Sequence, residues 1–162
     1  MMRIGFGFDT HRLEPGHDFW LGGVHLPHTK GAVGHSDADV LIHAVCDALL
    51  GAAGLRDIGF HFPDTDPEFK GIDSKILLAR TNRLIREKSF SVGNIDCTIV
   101  LQVPKVSHSI PEMISSLATV LEIEESQISV KAKTSEKLGF IGREEGVSAY
   151  AVVLLHPPDP SQ

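Results

Sequence analysis

Two cysteines among 162 residues are too few for a disulfide scaffold. Cys46 falls in an apolar helical run and Cys97 in an alternating, strand-like one, with no C-x-x-C spacing, so both are expected as reduced core thiols. Basic residues form no cluster and the net charge is −6, which argues against a surface built to neutralise nucleic-acid phosphates or an anionic membrane. No apolar run approaches the ~20 residues that cross a bilayer. The N-terminus lacks the basic-then-apolar order of a secretion signal, and no transit peptide is evident, so a cytoplasmic protein acting on small molecules or proteins is expected. There is no internal repeat and no dividing linker. Residues 1–157 are therefore expected to form a single domain, and residues 158–162, within the end HPPDPSQ, a disordered tail.

Four stretches read as strands, at residues 3–9, 94–103, 127–134 and 146–155, with a hairpin near 18–26 turning at Gly22-Gly23. Three stretches read as helices. The first, about 37–53, has Ser36 as candidate N-cap with Asp37 and Asp39 in its first turn; the second runs from Ser74 to about 88; the third begins near Pro111. Along the last strand Val147, Ala149, Ala151, Val153 and Leu155 share one face, while Val152 and Leu154 make the other apolar as well. Both faces call for burial. The expected class is α+β: two layers, a four-stranded mixed sheet with helices on one face, and the bare face meeting a partner subunit. The Pro-, Gly- and Asp-rich segment DIGFHFPDTDPEFKGID between the first two helices lacks periodicity and reads as a mobile lid.

The opening run GFGFDTH raises the chemistry. Its two glycines do not make a dinucleotide loop, because the third glycine and the following helix are missing. It does end in a D-x-H pair, and in a strand the period of two puts Asp9 and His11 on one face. His43 lies in the first helix with Asp39 four residues before it and Asp47 four after. It could complete a two-histidine, one-carboxylate zinc site with an open position, a flanking carboxylate orienting the ring; alternatively it is a hydrogen-bonded core histidine. His17, His25, His28, His61, His108 and His156 fit no metal spacing.

Five motifs in order, GFDTH, HSDADVLIHAVCDALLGAAGLRDIG, FPDTDPEFKG, DCTIVLQVPK and TSEKLGFIGREEG, span nearly the whole chain. Together they closely resemble the 2-C-methyl-D-erythritol 2,4-cyclodiphosphate synthase family of the non-mevalonate isoprenoid pathway. The resemblance implies conversion of 4-diphosphocytidyl-2-C-methyl-D-erythritol 2-phosphate into the cyclic diphosphate with release of CMP, by attack of the substrate's own 2-phosphate on the β-phosphorus. It implies Zn2+ held by Asp9, His11 and His43, and Mg2+ or Mn2+ held by Glu136 with the substrate phosphates. By the same resemblance His35 and Thr134 serve at the reacting centre, and Asp9, His11, Ser36, Lys133, Ser135 and Glu136 meet the phosphate region. Asp57, Ile58 and Gly59 correspond to the ribose site. Phe62, Pro63, Asp64, Thr65 and Asp66 correspond to the methylerythritol site, and Leu101, Gln102, Val103, Pro104, Lys105, Val106 and Ser107 to the cytosine pocket. The resemblance further implies a homotrimer with active sites between subunits. In some members an isoprenoid diphosphate lies on the trimer axis, at positions matching Phe8 and Arg143; Phe140 belongs to the same motif.

The implied reaction suits what the sequence lacks. A phosphate monoester has a second pKa of about 6, so the nucleophile is already ionised and needs neither a general base nor a catalytic triad. The difficulty is bringing one anion onto another in line, which calls for cations and alignment. Two positions depart from the family: Phe6 stands where many relatives have histidine, and Lys133 where threonine is frequent. Two other functions use the same residues, a metal phosphohydrolase activating water and a non-catalytic small-ligand-binding trimer. Bland uses are open to three residues: Asp57 as a turn residue, Lys105 as a solvated charge, and Glu136 as a cap after Ser135.

Overall fold

Alternation carries the first strand, β1, well past the expected end at residue 9, over Arg3–Pro15. The computed structural model describes residues 1–157, so the expected disordered tail at 158–162 lies outside the described residues. The hairpin forms as read, β2 (Phe19–Leu21) pairing antiparallel with β3 (Val24–Leu26). Gly22 and Gly23 turn it with φ of 62° and 76°, the left-handed pair that a two-residue hairpin requires. A four-residue strand, β4 (Lys30–Val33), follows.

Helix α1 spans Val40–Ala53. Its N-cap is Asp39, not Ser36, and Asp37 lies before the helix. The Asp39 carboxylate accepts from Ile42 N at 3.0 Å and from the hairpin glycines Gly22 N at 2.9 Å and Gly23 N at 2.6 Å. Three buried N–H groups outweigh the single local bond that Ser36 makes to Ala38 N. After α1 come the short α2 (Ile58–His61), capped by Asp57, and a 3-10 turn at Pro67–Phe69, capped by Asp66. The segment read as aperiodic thus contains two capped turns.

Helix α3 (Ser74–Glu87) buries Leu77, Leu78, Thr81 and Ile85. Strand β5 (Ser91–Val100), helix α4 (Ile110–Leu121), strand β6 (Ile128–Lys133), the short α5 (Gly139–Gly142) and strand β7 (Gly146–His156) complete the described chain. The α+β class is as expected, but the sheet has five strands rather than four, in the order β4-β1-β7-β5-β6. The fifth is β4, pairing with residues Arg12–Pro15 of β1; four residues are too few for a periodicity reading. Among the described residues only β5 and β6 are parallel, so the sheet is mixed.

Helix α1 lies against β1 and β7, α3 packs against α1 and α4, and α4 packs against β6 and β3. Val147, Ala149, Ala151, Val153 and Leu155 of β7 are completely covered under this layer. The valine and leucine side chains each contribute about 1.5–3 kcal/mol by burial. The opposite face carries Ile4, Phe6, Phe8, Tyr150 and Val152, all exposed. Cys46 and Cys97 are free and buried, and burial pushes both thiols up to about 12.

Candidate metal centre

From Gly5 onward the odd-numbered residues of β1 point toward α1, and the first two of these are glycines. A Cβ on Gly5 would stand 1.9 Å from the Ala48 carbonyl oxygen, and one on Gly7 would stand 1.9 Å from that of Ala44. The helix therefore rests on bare strand backbone. Strand and helix run so that the next odd residues, Asp9 and His11, meet the helix where His43 projects. The GFG run thus serves close approach, and it delivers two elements to one point.

The three side chains converge. Asp9 Oδ2 lies 2.9 Å from His11 Nε2 and 3.0 Å from His43 Nδ1, and the two histidine nitrogens are 3.0 Å apart. Among the described residues these three form a group able to hold a metal ion. The ring nitrogens outside the triangle are committed. His11 Nδ1 lies 3.2 Å from the Val33 carbonyl, which can only accept, so Nδ1 carries the hydrogen and Nε2 is left with a lone pair. His43 Nε2 lies 2.9 Å from Ser74 Oγ, whose own hydrogen goes to Asp37 Oδ1. His43 Nδ1 is then the free lone pair.

Three acceptors about 3 Å apart repel one another unless something positive lies between them. A tetrahedral zinc with bonds of about 2.0–2.1 Å sets its ligand atoms about 3.4 Å apart. The triangle is slightly tighter than that, and its donor set, two imidazoles and a carboxylate, suits zinc. The electrostatics agree. Without a metal those same two nitrogens can carry hydrogens instead: burial alone would raise Asp9, but the hydrogen bonds and charge of His11 and His43 outweigh it and hold its carboxyl well below the usual carboxylate range. Burial would lower His11, but the hydrogen bond and charge of Asp9 raise it. The flanking acids expected to orient His43 do not do so: Asp39 caps α1 and Asp47 accepts from Ile58 N at 3.0 Å.

The triangle sits in the wall of a cavity of about 440 Å³. Gly34, His35, Ser36, Ile58, Gly59, Phe62 and Asp64 line it too, and Phe69 and Leu77 add apolar wall. His35 Nε2 lies 3.2 Å from the Asp66 carbonyl oxygen, tying the HSD loop to the segment above it. Asp57, Pro63, Thr65 and Asp66 are not among the lining residues. Asp57 accepts from Phe60 N at 2.9 Å, so the turn role that its sequence context suggested is realised.

A second cavity of about 130 Å³ gathers Leu101, Gln102, Pro104, Lys105, Val106 and Ser107 with Ala132, Lys133 and Thr134. These stretches are far apart in sequence, and the parallel register pairing Val100 with Lys133 sets their ends side by side. The two cavities share no lining residue. Glu136 is exposed, with φ of 53°, and its Oε1 accepts from Thr134 Oγ1 at 2.8 Å; it does not join the triangle. Ser135 Oγ donates to the Leu138 carbonyl. Phe140 packs beside Gly146, and Arg143 forms a double hydrogen bond with Glu145. Two residues that family resemblance did not supply, Ser74 and Asp37, contact the site through His43; their only sequence signal is that both flank helix starts.

The model of the YgbB family matches residues 2–156. The 2-C-methyl-D-erythritol 2,4-cyclodiphosphate synthase of Porphyromonas gingivalis is 65% identical over 153 residues, 94% of each chain. Among solved structures, the bifunctional IspDF from Campylobacter jejuni is 42% identical with a TM-score of 0.96; all of the present chain is covered, but it spans only 44% of that protein. A CDP complex of IspF from Plasmodium falciparum is 39% identical with a TM-score of 0.86, over 98% of this chain and 97% of the other.

Proposed function

The chain belongs to the YgbB family, and on that premise we propose that it is a metal-dependent 2-C-methyl-D-erythritol 2,4-cyclodiphosphate synthase, a phosphorus-oxygen lyase of isoprenoid precursor biosynthesis. Its reaction is the closure of 4-diphosphocytidyl-2-C-methyl-D-erythritol 2-phosphate to the cyclic diphosphate with loss of CMP. The observation that carries this reading is the convergence of Asp9, His11 and His43 to within 3.0 Å in the wall of a cavity.

Asp9, His11 and His43 would hold zinc, and Glu136 would hold magnesium or manganese together with the substrate phosphates. When bound, such cations offset the charge that builds as one phosphate approaches another. The protein's own task is orientation. His35 and Ser36 line the cavity beside the triangle, where they would turn the 2-phosphate toward the β-phosphorus. Lys133 and Thr134 would steady the diphosphate, and the Leu101–Ser107 loop would hold the cytosine. Phe62 and Asp64 would close over the methylerythritol and exclude water, favouring ring closure over hydrolysis. Attack within one molecule needs mainly a folded conformer, an effect worth up to ~7–11 kcal/mol.

A substrate with cytidine at one end and methylerythritol at the other needs both cavities, which share no residue within one chain. A homotrimer with sites between subunits would supply the two halves from neighbours, and the exposed face of Ile4, Phe6, Phe8 and Val152 would be its contact. Among the described residues no helix is long and apolar enough to cross a membrane.

Phosphorus NMR of the full chain with the cytidyl substrate, zinc and magnesium or manganese tests the reading. Cyclic diphosphate appearing with CMP is the expected result. CMP with a linear product would mark a phosphohydrolase, and no turnover a binding protein.

A further inference from the structure

We propose that Ser74 and Asp37 are positioning residues, a hydroxyl-to-carboxylate relay that fixes the tautomer of His43 and thereby sets metal affinity. The inference rests on the metal reading above. Ser74 is completely buried, so water cannot stand in for it. Its hydroxyl hydrogen goes to Asp37 Oδ1, which leaves only a lone pair for His43 Nε2 at 2.9 Å. Nε2 then carries a ring hydrogen, so Nδ1, which without a metal can donate to Asp9 Oδ2 at 3.0 Å, is the nitrogen left to turn a lone pair to an ion in the triangle.

The relay is not a by-product of helix capping. Asp73 caps α3 by accepting from Lys75 N at 2.8 Å, so the Ser74 hydroxyl is not needed there. Asp37 is itself fixed: its carboxylate also accepts from Ser74 N at 2.9 Å and Asp39 N at 3.2 Å, and its own N–H donates to the Ile72 carbonyl at 3.1 Å. Gly71 N donates to the His35 carbonyl at 2.7 Å, lacing the same two loops together. Ser36 Oγ is also within 3.1 Å of His43 Nε2, but it takes the Ala38 N–H and no carboxylate stands behind it. The Ser36 hydroxyl, which also has Ser74 Oγ within 3.5 Å, is not fixed as an acceptor, whereas Ser74 is.

The test compares full-length wild type with Ser74→Ala, Ser74→Thr and Asp37→Asn, each checked for folding by circular dichroism. Zinc affinity is measured by chelator competition, and the imidazole tautomers of the metal-free proteins by long-range proton–nitrogen NMR at neutral pH. Loss of a partner behind a metal ligand typically weakens binding about 10- to 100-fold. That loss is expected for Ser74→Ala and Asp37→Asn, with the His43 Nε2–H signal giving way to a tautomer mixture. Ser74→Thr keeps the hydroxyl and should stay near wild type. Wild-type zinc affinity and tautomer in folded Ser74→Ala or Asp37→Asn would overturn the relay, as would a wild-type His43 with no hydrogen on Nε2. Absence of zinc binding by the wild type would instead remove the metal reading, while the tautomer spectra would still decide the relay.

Discussion

His11 Nε2 and His43 Nδ1 face each other across 3.0 Å although each ring's other nitrogen is already committed, one to the Val33 carbonyl and one to the Ser74 hydroxyl. Neither ring can rotate away without leaving a buried group unpaired, which costs about 1–3 kcal/mol. The pair is preorganised for a cation. His43→Ala should therefore drop zinc content to background and lower turnover at least ~100-fold, ~2.7 kcal/mol in barrier, while helical circular dichroism persists. Metal analysis and phosphorus NMR of one preparation check it; turnover by zinc-free protein would contradict the role given to His43.

The glycine row under α1 gives a second outcome. A methyl on Gly7 would lie 1.9 Å from Ala44 O and 2.6 Å from Ala48 N, both backbone atoms that cannot move alone. Gly7→Ala must lift the helix that carries His43, at a cost of about 1–3 kcal/mol or more, and should weaken zinc binding as well as lower the melting temperature. Phe6→His changes a side chain on the opposite face of the sheet, away from α1, where Phe6 is 63% exposed in the single chain. It should leave zinc affinity unchanged. Equal melting and equal zinc affinity in Gly7→Ala would refute the close-approach argument.

What could be read from the sequence was what depends on neighbours in sequence. Period two put Asp9 and His11 on one face, and two glycines announced the hairpin turn. The start of α1 was misplaced because Ser36 and Asp39 are both good caps, and the choice fell to N–H groups of Gly22 and Gly23, the former 17 residues away. The relay behind His43 joins residues 37 positions apart, so spacing pointed instead to Asp39 and Asp47 on the same helix face. Gly5 and Gly7 look like loop glycines until a helix is laid on them.

Glu136 Oε1 accepts from Thr134 Oγ1 at 2.8 Å, and on the proposed reading its carboxylate would hold the second cation. Glu136→Gln removes the charge with little change of shape. About tenfold more magnesium or manganese, ~1.4 kcal/mol, should be needed for half-maximal turnover, with zinc content unaltered because the triangle does not include this residue. An unchanged titration with either ion would exclude Glu136 from that site.

The metal-free protein should respond to pH in two directions. Despite burial, Asp9 raises His11 above its ordinary ~6.5, so that stabilisation is full below about 6.5 and is lost as pH rises through the raised value. Asp9 is held below its ordinary ~3.9, so its part is present above about 4 and is lost as pH falls through the depressed value. On the proposed reading zinc would take the place of the proton on His11, so metal stabilisation should grow as pH rises. Melting temperatures of chelated and zinc-loaded protein from about pH 5 to about pH 8.5 should therefore diverge upward. A gap that narrows toward alkaline pH would contradict the shared use of these atoms.

On the uncovered side of the sheet, the β1–β7 register sets Phe6 opposite Val152 and Phe8 opposite Tyr150, and the Phe8 and Tyr150 rings lie 5.1 Å apart. Single exposed apolar residues are ordinary, but a contiguous row across two strands is the surface that the proposed trimer would cover. Val152→Asp places a charge in the middle of that row; once covered and unpaired, it costs at least several kcal/mol. The variant should shift from trimer to monomer in light scattering and lose turnover, because the two cavities are then no longer supplied by adjacent chains. Its zinc affinity should hold, since Asp9, His11 and His43 lie on the helix side of the sheet. A wild-type chain that is monomeric at micromolar concentration, or a Val152→Asp trimer with full turnover, would contradict the shared site.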